Sequence, residues 1–168
     1  MLRRGLVLMA LLAAALAAYA LVYMQVNGVS VASARDIAFR PNAASTVASD
    51  VLEITVWNLG YGGLGRESDF VADGGANTFP PSRAAVRANV AAINALIASE
   101  EADVIVFQEI AQGGPVNYWV DLKGALDRTL SERSQVFFAD FQTRLLPWPL
   151  RMTHGQAIYT THTIASTD

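Results

Sequence analysis

Residues 6–24 are nineteen apolar side chains in a row, and nothing else in the chain resembles them. Such a run predicts a helix that is apolar on every face. At 1.5 Å per residue it spans roughly 28 Å, close to the hydrocarbon thickness of a bilayer. From 27 to 51 the sequence turns to Ser, Ala, Asn and Val around Pro41, with no helical stripe, and reads as a linker. Patterned sequence resumes at Leu52. The chain therefore divides into a leader (1–26), a linker (27–51) and a folded part (52–168).

Within the folded part, residues 52–57 (Leu-Glu-Ile-Thr-Val-Trp) alternate in polarity and favour β-structure, which predicts a strand. The loop at 58–65 carries four glycines, which permit backbone angles closed to other residues. Asp73-Gly74-Gly75 marks a second turn, and Pro80-Pro81-Ser82 a helix start. Val86, Val90, Ile93 and Ile97 then form a one-sided apolar stripe, with Arg83, Arg87 and Asn94 on other faces. Residues 104–107 are a continuous apolar run too short for a helix and suited to a buried strand that ends at Gln108-Glu109. The order strand, loop, helix, strand puts both strands in one sheet. Further on, 118–131 predicts a helix with Trp119, Leu122, Leu126 and Leu130 aligned. Residues 136–141 predict a strand, 145–152 with Pro147 and Pro149 a loop or edge segment, and 156–160 another strand.

Composition narrows the function classes. Of 168 residues 52% are hydrophobic, and the excess lies in the leader; what remains has the composition of an ordinary globular domain. Twelve basic against fifteen acidic residues give a net charge of −3. That argues against the strongly basic footprint of a charge-driven nucleic-acid binder and leaves room for an acidic metal site acting on phosphate. Without cysteine there is no disulfide framework, thiolate zinc site or thiol nucleophile. Arg3 and Arg4, ahead of a charge-free stretch at 5–34, orient the leader with its start in the cytoplasm. The leader then acts as an uncleaved signal anchor, holding the folded part on the outer side of the inner or plasma membrane. The alternative is a signal peptide, cleaved at Ala18-Tyr19-Ala20 or Ala32-Ser33-Ala34, and a secreted product.

Asn58 follows the first predicted strand and Glu109 the second. If those strands are parallel neighbours, both polar side chains emerge at the same sheet edge. One carboxylate and one amide oxygen make a hard-oxygen pair suited to Mg²⁺, which keeps several waters and binds substrate phosphate. A metal there polarises phosphoryl oxygens and helps generate hydroxide. Taken singly, each position is better explained by a polar residue closing a strand, and it is the pairing on matched strand ends that raises the site reading.

Ile54-Thr55-Val56-Trp57-Asn58, followed by Ala102-Asp103-Val104-Ile105-Val106-Phe107-Gln108-Glu109, resembles the endonuclease/exonuclease/phosphatase superfamily. Its members include pancreatic deoxyribonuclease, abasic-site endonucleases, neutral sphingomyelinases and inositol polyphosphate phosphatases. The Asn-Leu-Gly-Tyr-Gly-Gly loop and residues 69–75 look like a bacterial branch of it. Residues 155–161 are similar to its third motif, with Thr161-His162 standing where the family has Ser-Arg or Ser-Lys. The resemblance implies an α+β fold, a two-layer β-sandwich with flanking helices. It implies Glu109 as a metal ligand, Asn58 as the group orienting the metal-bound phosphate region, and Mg²⁺ as cofactor. Substrates would be phosphodiesters or phosphomonoesters, whether nucleic acid, lipid or sugar phosphate.

The same resemblance implies a later phosphate-contacting histidine, an Asp-x-Asn element and a final Asp-His pair, and none of these motifs occurs in the sequence. The 117 residues from 52 onward also fall short of the roughly 200–250 of a complete sandwich. The expectation is the N-terminal half of a membrane-anchored, Mg²⁺-dependent phosphodiesterase or nuclease, catalytically incompetent as this chain. The alternative is a non-catalytic anchored binding or assembly module whose exposed strand edges pair with another chain. Other polar residues read plainly. His154 and His162 belong to loop or strand surface, and Asp73 to the cap of its turn. Arg83 and Arg87 lie on a solvated helix face. The loop at 60–65 lacks the Lys-Ser/Thr of a P-loop and serves as a connection rather than a phosphate cradle.

Overall fold

The structure, a computed structural model, describes residues 2–27, 37–41, 51–143, 146 and 149–164. The apolar leader forms helix α1 (Leu2–Asn27). Its segment Arg4–Met24 has the length and composition to cross a membrane, and none of it is buried in the protein. Leu8 is 71% exposed, as expected for a helix whose apolar surface meets no protein partner. The cleavage candidate Ala18-Tyr19-Ala20 lies within α1, whereas Ala32-Ser33-Ala34 falls outside the described residues.

Among the described residues five strands and two further α-helices follow: β1 (Ile37–Arg40), β2 (Ile54–Asn58), α2 (Arg83–Ile97), β3 (Val104–Ala111), α3 (Leu122–Thr129), β4 (Ser134–Gln142) and β5 (Thr153–Thr160). The strands make one mixed sheet in the order β1-β4-β5-β3-β2. β2 and β3 are parallel, with α2 in the crossover between them, and all other pairs are antiparallel. The fold is mixed α/β. Ser82 caps α2 by accepting the Ala85 N–H at 3.1 Å, and the predicted stripe of Val86, Val90, Ile93 and Ile97 is the buried face of the helix. It packs with Leu122 and Leu126 of α3 onto Ile105, Phe107, Phe137, Ala157 and Tyr159, the inward residues of the three central strands. Each of the larger side chains among them contributes about 1.5–3 kcal/mol through burial.

Among the described residues, nothing covers the opposite face of the sheet. Pairing register carries one apolar row straight across it: Val56, Val106, Ile158, Val136 and Phe39, one from each strand. Val56 is 61% exposed and Phe39 45%.

The structure departs from the sequence reading in four places. The expected linker contributes β1, which alternates Ile-Ala-Phe-Arg and pairs with β4. Its Arg40 guanidinium donates to the carbonyls of Asp127 and Leu130 at the end of α3, where the helix dipole favours a cation. The helix expected at 118–131 shrinks to α3, because Tyr118 and Trp119 adopt left-handed backbone (φ 51 and 57) and Asp121 caps the helix instead, accepting the Gly124 N–H at 2.9 Å. The strand expected at 156–160 starts earlier, at Thr153. Most consequentially, β3 does not stop at Gln108-Glu109 but runs on to Ala111. Pro147 lies outside the described residues.

Candidate functional site

Parallel pairing sets Asn58 opposite Gln108, so Glu109 lies one residue beyond the level at which β2 ends. The register of β3 against β5 shifts between Phe107 and Ile110, a bulge that holds Gln108 and Glu109. Glu109 takes left-handed backbone (φ 53), costly for a residue with a Cβ by about 1–3 kcal/mol. A bulge of this kind re-aims a side chain that strict alternation would fix. Glu109 and Asn58 consequently line one cleft of about 510 Å³, together with Asp73 and Asn89, over an apolar floor that includes Leu59, Ile93 and Leu96.

The sequence-derived candidates divide clearly here. Asn58 accepts the Gly60 N–H through Oδ1 at 2.9 Å, closing the glycine loop as an Asx turn. An amide oxygen has two lone pairs, so one remains for a ligand. Several of the loop's own N–H groups are spent internally: Gly62 donates to Leu59, and both Gly63 and Leu64 donate to Gly60. The turn at 69–76 is capped by Asp69, which accepts the Ala76 N–H at 3.2 Å, and not by Asp73. Asp73 instead faces the cleft with Glu109.

His162 lies at the other end of the sheet, 3.9 Å from Asp103, since Thr160 pairs with Val104 at the start of β3. His154 is different. Beyond the bulge in β3 it pairs with Ala111, and beyond a second register shift in β4, between Ala139 and Phe141, it pairs with Phe141. Asp140 occupies that second bulge and accepts from His154 Nδ1 at 2.9 Å. The His154 ring stacks on Phe141 (4.8 Å, 11°) and meets Tyr61 edge-on at 5.2 Å. Burial, and then the nearby charges of Glu109 and Asp140, push the Tyr61 hydroxyl above the usual tyrosine range, so it stays a neutral donor. Tyr61, set against the His154 ring, also has left-handed backbone (φ 57).

Sequence reasoning placed His154 on a loop or strand surface, and it lies on strand β5, partly exposed; its neighbours Tyr61 and Asp140 were not singled out. No local pattern could have found them, since the close approach at Gly155, where a Cβ would overlap the Phe138 carbonyl, arises from pairing between β4 and β5.

The donors in the cleft are carboxylate and amide oxygens, the set Mg²⁺ prefers. Among the described residues no three His, Asp or Glu side chains converge on one point, so a bound ion would keep most of its shell as water or substrate oxygen. Compared with known families, curated proteins and solved structures, the chain shows no significant match.

Proposed function

We propose that the chain is a metal-dependent phosphoester hydrolase domain of the endonuclease/exonuclease/phosphatase kind, tethered by α1 to the outer side of the inner or plasma membrane. The observation that carries this reading is the delivery of Asn58 and Glu109 into one cleft by parallel strands. Glu109, assisted by Asp73 and the free lone pair of Asn58, would hold Mg²⁺. The ion, when bound, supplies Lewis-acid polarisation of a phosphoryl oxygen. The residues of the chain orient it: the bulge fixes Glu109, and the Asx turn fixes Asn58.

The apolar row from Val56 to Phe39 supports the second layer of a sandwich, since a sheet face of that composition is covered in a folded domain. The sparse ligand set favours, as a second reading, an anchored non-catalytic module that pairs through that face.

Mn²⁺ in place of Mg²⁺ tests the metal assignment. Paramagnetic broadening in amide spectra should centre on Asn58, Asp73 and Glu109 and spare His162. Uniform broadening, or none, would leave only the module.

A further inference from the structure

We infer that the exposed surface of α2 and α3 around Arg83, Arg87 and Arg128 docks on anionic phospholipid headgroups of the membrane that holds α1. The inference rests on the tether in the reading above and not on its phosphoester chemistry.

α2 contains no Asp or Glu, and apart from Arg83 and Arg87 its exposed residues are alanines and Leu96. Between α2 and α3 lies a shallow groove of about 330 Å³, lined by Val90, Val120 and Ala125 together with the exposed Arg87 and Arg128. No acidic residue lines it. Among the described residues none of the three arginines has a hydrogen-bonding or ion-pair partner. The whole chain carries fifteen acidic against twelve basic residues, so an acid-free basic surface is a local exception. Arg83 also opens α2, where the helix dipole disfavours a cation and no first-turn carboxylate offsets it.

Cations left without an internal partner suit an external anion, and the guanidinium fork matches phosphate oxygens. Arginine stems lie along apolar surface while their heads reach outward. Arginine set among small apolar side chains is the composition of helices that rest at a headgroup boundary. The tether favours the same face. Residues 28–36 join α1 to β1, and nine residues span at most about 30 Å. Arg40 of β1 donates to the carbonyls of Asp127 and Leu130, which bracket Arg128 in the chain. β1 therefore leads from the membrane directly to the basic surface. The open face of the sheet is a poorer match, since its row from Val56 to Phe39 has no charge to select an anion.

The test places the full chain in nanodiscs of phosphatidylcholine, with or without phosphatidylglycerol, that carry a gadolinium-labelled headgroup lipid. Amide signals close to the headgroups then broaden. With phosphatidylglycerol, broadening should be strongest at Arg87, Ala91 and Arg128 and weak at Val56 and Ile158. It should fade in phosphatidylcholine alone and in high salt, which screens exposed charges. Arg87→Gln and Arg128→Gln should each lower the docked-to-free ratio about fivefold. Their melting temperatures should hold, because neither side chain has a partner to lose. Broadening that ignores lipid charge, or that is strongest on the sheet face, would overturn the proposal and leave the arginines to an acidic protein partner. A chain that does not stay with the discs would overturn the anchor and the docking together. Mg²⁺ binding at Glu109 is independent of each of these outcomes, so the phosphoester reading stands or falls separately.

Discussion

Asn58 and Gln108 stand opposite each other on parallel strands, and the residue after Gln108 is Glu109. Parallel strands end on the same side of a sheet, so this register alone brings the amide and the carboxylate to one cleft. The bulge then turns Glu109 into it at the expense of left-handed backbone. A replacement at 109 should therefore report on backbone strain separately from charge. Glu109→Gly relieves the strain and should alter stability by no more than about 1 kcal/mol, whereas Glu109→Val, β-branched and intolerant of positive φ, should lose about 1–3 kcal/mol. Urea denaturation of the two variants measures the difference. Equal stabilities would mean that the backbone at 109 is not left-handed.

Asn58→Ala removes the acceptor for the Gly60 N–H and should cost about 1 kcal/mol. Asn58→Asp keeps an acceptor at the same place and should cost less. The same denaturation curves check the order, and a reversal would separate Asn58 from the loop.

Gly155→Ala places a methyl group against the Phe138 carbonyl. Relief requires β4 to move, with a loss of about 1–3 kcal/mol. Because His154 and Asp140 depend on that close approach, the variant should also disturb the His154 ring signals. A fully stable variant with unchanged signals would contradict the described packing of the two strands.

Much of this was legible in the chain. The stripe from Val86 to Ile97, the apolar run at 104–107 and the alternation at 52–57 are local patterns, and they gave the β2-α2-β3 unit and the level of Asn58. What escaped depends on partners distant in sequence. β1 is four residues long and is held by β4 and by carbonyls of α3, so nothing local distinguishes it from a linker. The bulge at Glu109 arises from pairing with β5, and the His154–Asp140 pair bridges fourteen positions across two antiparallel strands. A one-dimensional pattern holds neither.

Alkaline pH probes the core. The Tyr159 hydroxyl donates to Asp127 Oδ1 at 2.7 Å, and burial first, then that hydrogen bond, raises its pKa far above the ordinary tyrosine value. Above pH ~10 the unfolded chain loses this proton while the folded chain keeps it. Stability should then fall as pH rises, by up to about 1.4 kcal/mol per pH unit for this group. Tyr159→Phe should flatten that slope while lowering stability near neutral pH, since Asp127 loses a partner. Denaturation at pH 8, 10 and 11 checks both, and an identical slope in wild type and variant would contradict the assignment.

The central claim is that Glu109 and Asn58 hold a divalent metal, and calorimetric titration of the detergent-solubilised chain with Mg²⁺ tests it most directly. Wild type should bind with a saturable isotherm. Glu109→Gln, equal in size but uncharged, should bind at least about tenfold more weakly with its melting temperature preserved, and Asn58→Ala should lose less. Identical isotherms for wild type and Glu109→Gln would contradict the account and assign Glu109 to structure alone.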